Sequence, residues 1–263
     1  MNSVLFRSSL LVLTLIFVLS PNEYSQKENF NDLLKSGKTF TYKALVKHDK
    51  DMLLEALDQY EEILKADTSN LEALYGLIFV EYRFLELSLQ KGNDSLFDQY
   101  YQPSLVNAAK LISANRYLSE GKSLLAGIYM MKIASSPMSA VTLSSKINRL
   151  LSDAEEANPK NPTTYIVRGE MKYNTPKMFG GSIEDAVNNF NKAVLICEQY
   201  PDSTLVDTKW AYLESLAWLG QAYARIDNYD AAKFAYQKAL SIQADFSWVK
   251  YVLLPKIEKK EQN

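Results

Sequence analysis

Apolar residues near the end of the chain recur at helical spacing in two runs, and a short polar segment separates the runs. The segment spans 213–246, and its marked positions are Leu219, Gly220, Tyr223, Ala232, Tyr236 and Ala239. Tyr236 and Ala239 lie three residues apart and therefore share one face of a helix. Gly220 and Ala232 are small, which allows two helices to cross closely there. The pattern predicts a helical hairpin connected by the polar turn DNYD.

The segment 213–246 resembles the tetratricopeptide repeat, a helix–turn–helix unit of 34 residues. That family has Leu-Gly and Tyr in its first helix, and Ala, an aromatic residue and Ala in its second helix. Two positions depart from the family pattern, because Leu216 replaces an early Trp and Ala244 replaces a late Pro. The resemblance implies an all-α fold in which helical hairpins stack into a right-handed superhelix.

The same template can be placed four more times upstream. The five units are 37–70, 71–119, 120–161, 162–212 and 213–246, and the matching positions before the last unit are Phe40, Ala44, Ala56, Tyr60, Gly127, Tyr165, Gly169, Ala186, Phe190 and Ala193. The unit 71–119 fits least well, since its second helix is degenerate near 104–115. Three or more stacked units are needed for stability, so we expect about five hairpins over 37–246. Residues 26–36 lead into this array, and 247–263 form a capping helix and tail.

Helix-boundary signals agree with this division. Ser69 with Glu72, and Ser182 with Asp185, can form capping boxes at helix N-termini. Asp49 is expected to act as a turn and cap residue between the first two helices. Five prolines are expected between helices, where a missing N–H costs least, and these are Pro103, Pro159, Pro162, Pro176 and Pro201.

Residues 175–181, TPKMFGG, form an insertion between the two helices of the fourth unit. The spacing between the small residues of these two helices is five residues longer than in the last unit. Pro176 is expected to end the first helix, and the Gly pair 180–181 to permit a positive φ before the second. Met178 and Phe179 are strongly apolar, so we expect them to fold back against a neighbouring turn.

The N-terminus has the pattern of a signal peptide over residues 1–25. One cation, Arg7, precedes an apolar run from Leu10 to Leu19 that is shorter than the about 20 residues a membrane span requires. An uncleaved anchor is the alternative. No Cys follows the run, so we expect no lipid anchor. The sequence thus predicts an exported protein, periplasmic or secreted, that is not stably inserted in the membrane after cleavage.

Composition argues against several classes of function. The chain is 47% hydrophobic and 23% charged, with a net charge of −2 and a pI near 5.6. It has no basic block, so nucleic-acid binding is not expected. His48 is the only histidine, and Cys197 lies in an apolar helical stretch, so we expect neither a metal site nor a reactive thiol. Nucleotide-binding and nucleophile motifs are absent from the sequence, so we expect no catalysis and no cofactor.

In the tetratricopeptide family the first helix of each unit lines a concave groove. The resemblance, carried over unit by unit, assigns a partner-binding groove to Tyr75, Phe79, Tyr82, Arg83, Met131, Lys132, Glu170, Tyr173, Gln221 and Arg225. The second unit stands out, since three aromatic residues and an Arg on one helical face suit a protein or peptide partner. The alternative is that this stripe is core, covered by the inserted residues Phe97, Tyr100 and Tyr101.

The sequence therefore predicts an exported protein-binding scaffold or adaptor with a protein or peptide partner in the cell envelope. Because a fold does not determine a function, two alternatives stay open. One is a small-molecule-binding accessory protein of an envelope transport system, in which inserted loops close one end of the groove. The other is an envelope or outer-membrane assembly scaffold. A pocket with convergent polar groups would favour the first alternative, and an open groove would count against it.

Overall fold

The structure, a computed structural model, describes residues 21–200 and 208–261. Within these residues the chain forms eleven α-helices. They are α1 Pro21–Lys47, α2 Lys50–Ala66, α3 Leu71–Ser88, α4 Ser95–Ser113, α5 Leu118–Ser135, α6 Ala140–Ala157, α7 Pro162–Asn174, α8 Ile183–Gln199, α9 Thr208–Arg225, α10 Tyr229–Ile242 and α11 Leu254–Glu261. Two 3₁₀ turns, at Pro137–Ser139 and Lys177–Phe179, and a π turn, at Trp248–Leu253, lie between helices. None of the described helices combines the length and hydrophobicity that crossing a membrane requires.

The helices pair in chain order into five stacked hairpins. Extensive packing joins α1 to α2, α3 to α4, α5 to α6, α7 to α8 and α9 to α10. The first helices of successive hairpins also contact one another, from α1 to α3, α5, α7 and α9 in turn, and thus form an inner layer. The predicted all-α, tetratricopeptide-like architecture is therefore confirmed.

The two ends of the array meet across this inner layer. The Tyr42 hydroxyl of α1 donates to Gln243 Oε1 at 2.8 Å, and Lys47 pairs with Asp245. Val46, also on α1, is buried within the apolar cluster of the last hairpin. Further along, the Arg83 guanidinium of α3 pairs with Glu214 of α9. These contacts join the two ends of the array, so that its inner surface borders a partly enclosed space.

Glycines on first helices face aromatic rings of second helices. A Cβ added to Gly220 would lie 2.2 Å from Tyr236 Cε1, and one added to Gly169 would lie 2.4 Å from Phe190 Cε1. Both rings are fully buried, so the close crossing predicted at Gly220 is present. The repeat positions that are buried are Ala44, Ala56, Tyr60, Gly127, Gly169, Ala186, Phe190, Ala193, Gly220, Ala232, Tyr236 and Ala239, whereas Tyr223 is half-buried.

Five of the described helices begin at a side chain that accepts backbone N–H bonds. Asp49 Oδ1 accepts from the N–H groups of Asp51 and Met52, and Ser182 Oγ accepts from Asp185 N at 3.1 Å, both as predicted. The predicted Ser69–Glu72 capping box is wrong. Asn70 caps α3, since its Oδ1 accepts from Ala73 N at 3.0 Å. Ser69 instead donates to Asp67, and Glu72 pairs with Lys38.

The prediction that Pro103 separates two helices is also wrong. Pro103 lies inside α4, which begins at Ser95 and is therefore longer than the degenerate pattern indicated. A proline removes only one helical N–H bond. Burial of Leu96, Tyr100 and Leu111 along the same helix outweighs that loss, as tertiary packing commonly overrides local propensity.

The inserted segment 175–181 forms a compact turn with its backbone largely satisfied. Gly180 has φ of 92°, and a Cβ on Gly181 would lie 1.7 Å from the Thr175 carbonyl oxygen, so both glycines are required. The expectation that Met178 and Phe179 fold back is wrong, because they are 82% and 72% exposed. Backbone bonds, including Ser182 N to Lys172 O at 3.0 Å, hold the turn without packing of these side chains.

The ends of the chain are described in part. Residues 1–20, which hold most of the predicted signal peptide, and Pro201 lie outside the described residues. Helix α1 runs from Pro21 through the predicted lead-in 26–36 without a break. At the other end, Phe246, Val249, Leu253 and Ile257 are buried in the last apolar cluster, as expected for a cap.

A Gly220→Ala substitution should destabilise the fold. Alanine normally favours a helix over glycine by about 1 kcal/mol, but here the new methyl group would overlap the buried ring of Tyr236. We expect a net loss of about 1–3 kcal/mol in the free energy of unfolding, measured by urea denaturation. Adding Tyr236→Leu should restore part of the loss, because it removes the ring atoms that overlap. A stabilised single variant would contradict the close crossing.

Glu81 of α3 should make stability depend on pH. It is 4% exposed, and its Oε1 accepts from Asn107 Nδ2 at 2.9 Å. Burial raises the pKa of Glu81 from 4.5 to about 7. The folded chain thus keeps a proton that the unfolded chain releases at lower pH, so stability falls as pH rises between these two values, on the order of 3 kcal/mol in all.

Glu81→Gln removes that titration, so its stability relative to wild type should rise from about pH 5 to about pH 8. Urea denaturation at both pH values measures this difference. The exposed Glu156→Gln serves as the control and should show the same small difference at each pH. A Glu81→Gln difference that is independent of pH would contradict the raised pKa.

Candidate binding cavity

The closed inner layer surrounds a cavity of about 890 Å³. Its walls come from α1, α2, α3, α5, α6, α7 and α9, from the turn after α1, from the 175–181 insertion and from Trp248. Ligand pockets in proteins commonly have volumes of about 300–1,000 Å³. The space can therefore accommodate a small organic molecule or one end of a peptide.

A group of four charged side chains, Arg83, Glu86, Glu170 and Glu214, forms one part of the cavity wall, and we call it the charged cluster. Arg83 Nη1 donates to Glu214 Oε1 at 2.8 Å and to Glu86 Oε2 at 2.7 Å, while Nη2 donates to Glu214 Oε2. The guanidinium also lies 4.6 Å from the centre of the Phe79 ring. One cation is thus shared between two carboxylates.

Glu170, the third carboxyl group of the charged cluster, is poorly compensated. It is 3% exposed, and within residues 21–200 and 208–261 its carboxyl group accepts one hydrogen bond, from the Tyr82 hydroxyl at a long 3.5 Å. Burial, followed by the negative charges of Glu214 and Glu86, raises the pKa of Glu170 well above its ordinary value, despite the opposing charge of Arg83. Burial likewise raises the pKa of Glu86. Such shifts are common at functional sites.

The three carboxyl groups of the charged cluster can each place an oxygen within 4.8 Å of the others. That spacing would suit a metal ion. Arg83, however, already binds both carboxylate oxygens of Glu214 and one of Glu86, and its positive charge would repel a metal ion. We therefore assign no metal to this cluster.

The rest of the cavity wall is mainly apolar and aromatic, with Leu45, Leu53, Met130, Met131, Ile147, Met171, Trp218 and Trp248. The Trp218 and Trp248 rings meet edge to face, with centroids 5.5 Å apart. His48, in the turn after α1, lies edge to face with Trp248 at 6.2 Å. Partial burial and the charge of Arg83 lower the pKa of His48, which favours its neutral form near pH 7.

Exposed apolar side chains lie on two segments that also contribute residues to the cavity wall. Met178 and Phe179 come from the insertion, and Met138 and Val141, each 81% exposed, come from the segment that begins α6. Phe179 itself lines the cavity, as does Ala140 between the other two. We call the four large residues Met138, Val141, Met178 and Phe179 the apolar rim.

The predicted groove residues fall into three groups. Arg83, Met131 and Glu170 line the cavity. Tyr75, Phe79 and Tyr82 are 7%, 3% and 4% exposed, so they belong to the core and do not form an aromatic face open to a partner. The remaining residues, Lys132, Tyr173, Gln221 and Arg225, lie outside the cavity lining.

The burial of Phe79, at the centre of the aromatic stripe, has a specific cause. Closure brings α9 over α3, and the Phe79 ring centroid lies 4.3 Å from that of Trp210. The inserted aromatics expected to cover the stripe lie elsewhere. Tyr100 stacks on Phe84, and Phe97 and Tyr101 lie beside Lys132. Arg225 stacks over Tyr173 at 4.7 Å on a separate surface.

Several cavity residues were not predicted as site residues, namely His48, Glu86, Met130, Glu214, Trp218 and Trp248. Glu86 and Glu214 have a sequence signal, since each is an acidic residue within an apolar stretch, FLELSL and YLESLAW, and must be either exposed or paired. His48 was assigned no functional role. The sequence contains nothing that brings α1, α3 and α9 to one place.

Comparisons with known proteins support the fold. A family model described as tetratricopeptide repeat matches residues 213–246. The crystal structure of TTC0263, a thermophilic TPR protein in Thermus thermophilus, is 19% identical with a TM-score of 0.61, and the match covers 89% of this chain and 100% of that one. The HusA haemophore from Porphyromonas gingivalis is 19% identical with a TM-score of 0.60, covering 76% of this chain and 94% of that one. No curated protein matches significantly in sequence.

Removal of the one cation of the charged cluster should be costly at neutral pH. Arg83→Met would leave three largely buried carboxyl groups without a cation. We therefore expect the free energy of unfolding to fall by about 3–5 kcal/mol near pH 7.5. The loss should shrink near pH 5, because protonated carboxyl groups carry no charge to compensate. Urea denaturation at both pH values measures it.

Arg168→Met is the matched control, since Arg168 pairs with Glu155 in a more exposed setting. The pKa of Glu155 is lowered to about 2, so this pair stays ionised at both pH values and its smaller effect should not change between them. An Arg83→Met loss that is equal at the two pH values would rule out repulsion among the carboxylates as its cause.

Proposed function

We propose that this tetratricopeptide-repeat protein binds a small amphipathic molecule in the cavity and acts as a non-catalytic accessory protein of the cell envelope. One observation carries the proposal. The cavity has apolar and aromatic walls together with a buried charged cluster, in a volume that suits a small molecule. An extended peptide would instead require an open groove along the first helices.

The energetics of the charged cluster support a ligand role. A buried carboxyl group without adequate hydrogen bonds costs free energy, and natural cores generally avoid it. Glu170 is such a group, and it borders the cavity rather than a packed core. A ligand whose polar group reaches Glu170 would compensate it, while the rest of the ligand would contact the walls and the apolar rim.

The similarity to a haemophore suggests the first probe. That protein shares the fold alone with this chain at 19% identity, so its ligand class is a hypothesis here. His48 and the methionines of the cavity wall are residue types that can bind haem iron. Haem is therefore worth testing beside a probe that carries no charge and no metal.

A protein partner is the second candidate, supported by the apolar rim. These four large apolar side chains are 72% to 82% exposed on segments that border the cavity, and exposed apolar patches commonly mark a surface that another protein covers. Under this hypothesis the partner, such as a transporter or an envelope assembly scaffold, binds the apolar rim of the protein when a ligand is in the cavity. We propose a periplasmic location on the strength of residues 1–25, and fractionation of cells that express the full chain tests it.

Ala134→Trp should block binding in the cavity. Ala134 is exposed at the cavity wall, so an indole there fills the space without displacing the core. We expect wild type to enhance the fluorescence of the neutral probe N-phenyl-1-naphthylamine and to shift the absorbance of haemin if haem fits. The variant should bind the neutral probe at least about tenfold more weakly.

Ala66→Trp, at the exposed end of α2 and away from the cavity, is the control and should bind as wild type does. Circular dichroism should show equal helical content in the three proteins. Absence of probe binding to wild type, or equal binding to the Ala134 variant, would contradict the proposed cavity function. Haemin without effect would remove only haem as the ligand.

A further inference from the structure

The charge balance of the cavity is uneven. Among the described residues, the lining includes four carboxyl groups, on Asp49, Glu86, Glu170 and Glu214, and two cations, on Arg83 and Lys172. Asp49 is engaged by the N-terminus of α2. Lys172 pairs with Asp185, which lies outside the lining, at 2.9 Å. The charged cluster thus depends on Arg83 alone for compensation.

Glu170 is the group that Arg83 leaves uncompensated. Arg83 directs both of its Nη groups to Glu214 and Glu86. Glu170 is only 3% exposed and borders the cavity, and the one donor to its carboxyl group within the described part of the chain is the Tyr82 hydroxyl at 3.5 Å. This buried acceptor is an observation separate from the clustering of acidic residues, and it points to a donor that enters from the cavity.

From this arrangement we propose that the charged cluster selects a ligand with a primary ammonium or guanidinium group attached to an apolar body. The inference rests on the proposed cavity function and names its ligand class. The cation would bind Glu170 and share Glu86, where charge-assisted hydrogen bonds form in a dry setting. The Trp218 and Trp248 rings, which line the same cavity, suit both the cation and the apolar body.

The cluster disfavours the opposite charge. An anionic head at this position would face three carboxyl groups, and the one guanidinium beside it already binds Glu214 and Glu86 through both of its Nη groups. A neutral hydroxyl could bond to Glu170 but would not form a bond between opposite charges. The expected order of affinity is therefore amine, then alcohol, then carboxylate, for ligands with the same apolar chain.

Competition among three probes with one chain length tests this order. N-decylamine, n-decanol and decanoate are each used to displace bound N-phenyl-1-naphthylamine from wild type. The amine should displace the probe at a concentration at least about tenfold lower than the alcohol, and decanoate should be the weakest. Alcohol or decanoate as effective as the amine would overturn the inference, yet the cavity function would stand because the fluorescent probe binds. Absence of fluorescent-probe binding would instead be the failure of the proposed function.

Glu170→Gln identifies the residue responsible. The variant should lose the preference of the cavity for the amine over the alcohol, because the amide has no charge to offer. Glu120→Gln is the matched control, since Glu120 is also a buried glutamate but lies outside the cavity lining, and it should keep the preference. A Glu170→Gln protein that keeps the preference would overturn the assignment.

Discussion

Closure of the helical array is the constraint on which the rest of this structure depends. Contacts between α1 and the end of the chain, such as Tyr42 with Gln243, bring the first and last hairpins together. The Arg83–Glu214 pair joins α3 to α9 across 131 residues of sequence. Since a stack of hairpins left open would present a groove, these contacts convert a groove into a cavity. They also bury Phe79 beneath Trp210.

The charged cluster contributes to this closure through the Arg83–Glu214 pair, but it also holds one carboxyl group, that of Glu170, in an unfavourable setting. A buried ion pair gains from Coulomb attraction but must offset the loss of hydration of both ions. Arg83 and Glu214 meet that requirement with a two-point contact. Glu170 does not, and its raised pKa reflects the cost of holding a carboxyl group there. The cavity wall therefore contains a poorly compensated carboxyl group, which is consistent with a ligand that supplies a hydrogen-bond donor to it.

The insertion TPKMFGG shows how a local irregularity becomes a functional feature. Its glycines are needed by the backbone, because Gly180 adopts a positive φ and Gly181 approaches the Thr175 carbonyl group. Its two large apolar residues are not needed by the backbone and remain exposed on a segment that borders the cavity. The same segment thus connects α7 to α8 and supplies part of the apolar rim.

Local patterns in the sequence were sufficient for the hairpins. Three features depend on residues that are close in sequence or on a repeated spacing. These are the contact of Gly220 with Tyr236, the helix N-caps at Asp49 and Ser182, and the C-terminal helix near Ile257 that covers the end of the array. They follow from helix periodicity and close packing. Where tertiary packing competes with a local signal, as at Pro103 in α4, the sequence alone predicted the wrong boundary.

The cavity was decided only by the tertiary structure. Its residues, such as His48, Arg83 and Glu214, come from distant helices, and no local spacing determines how far a superhelix turns before its ends meet.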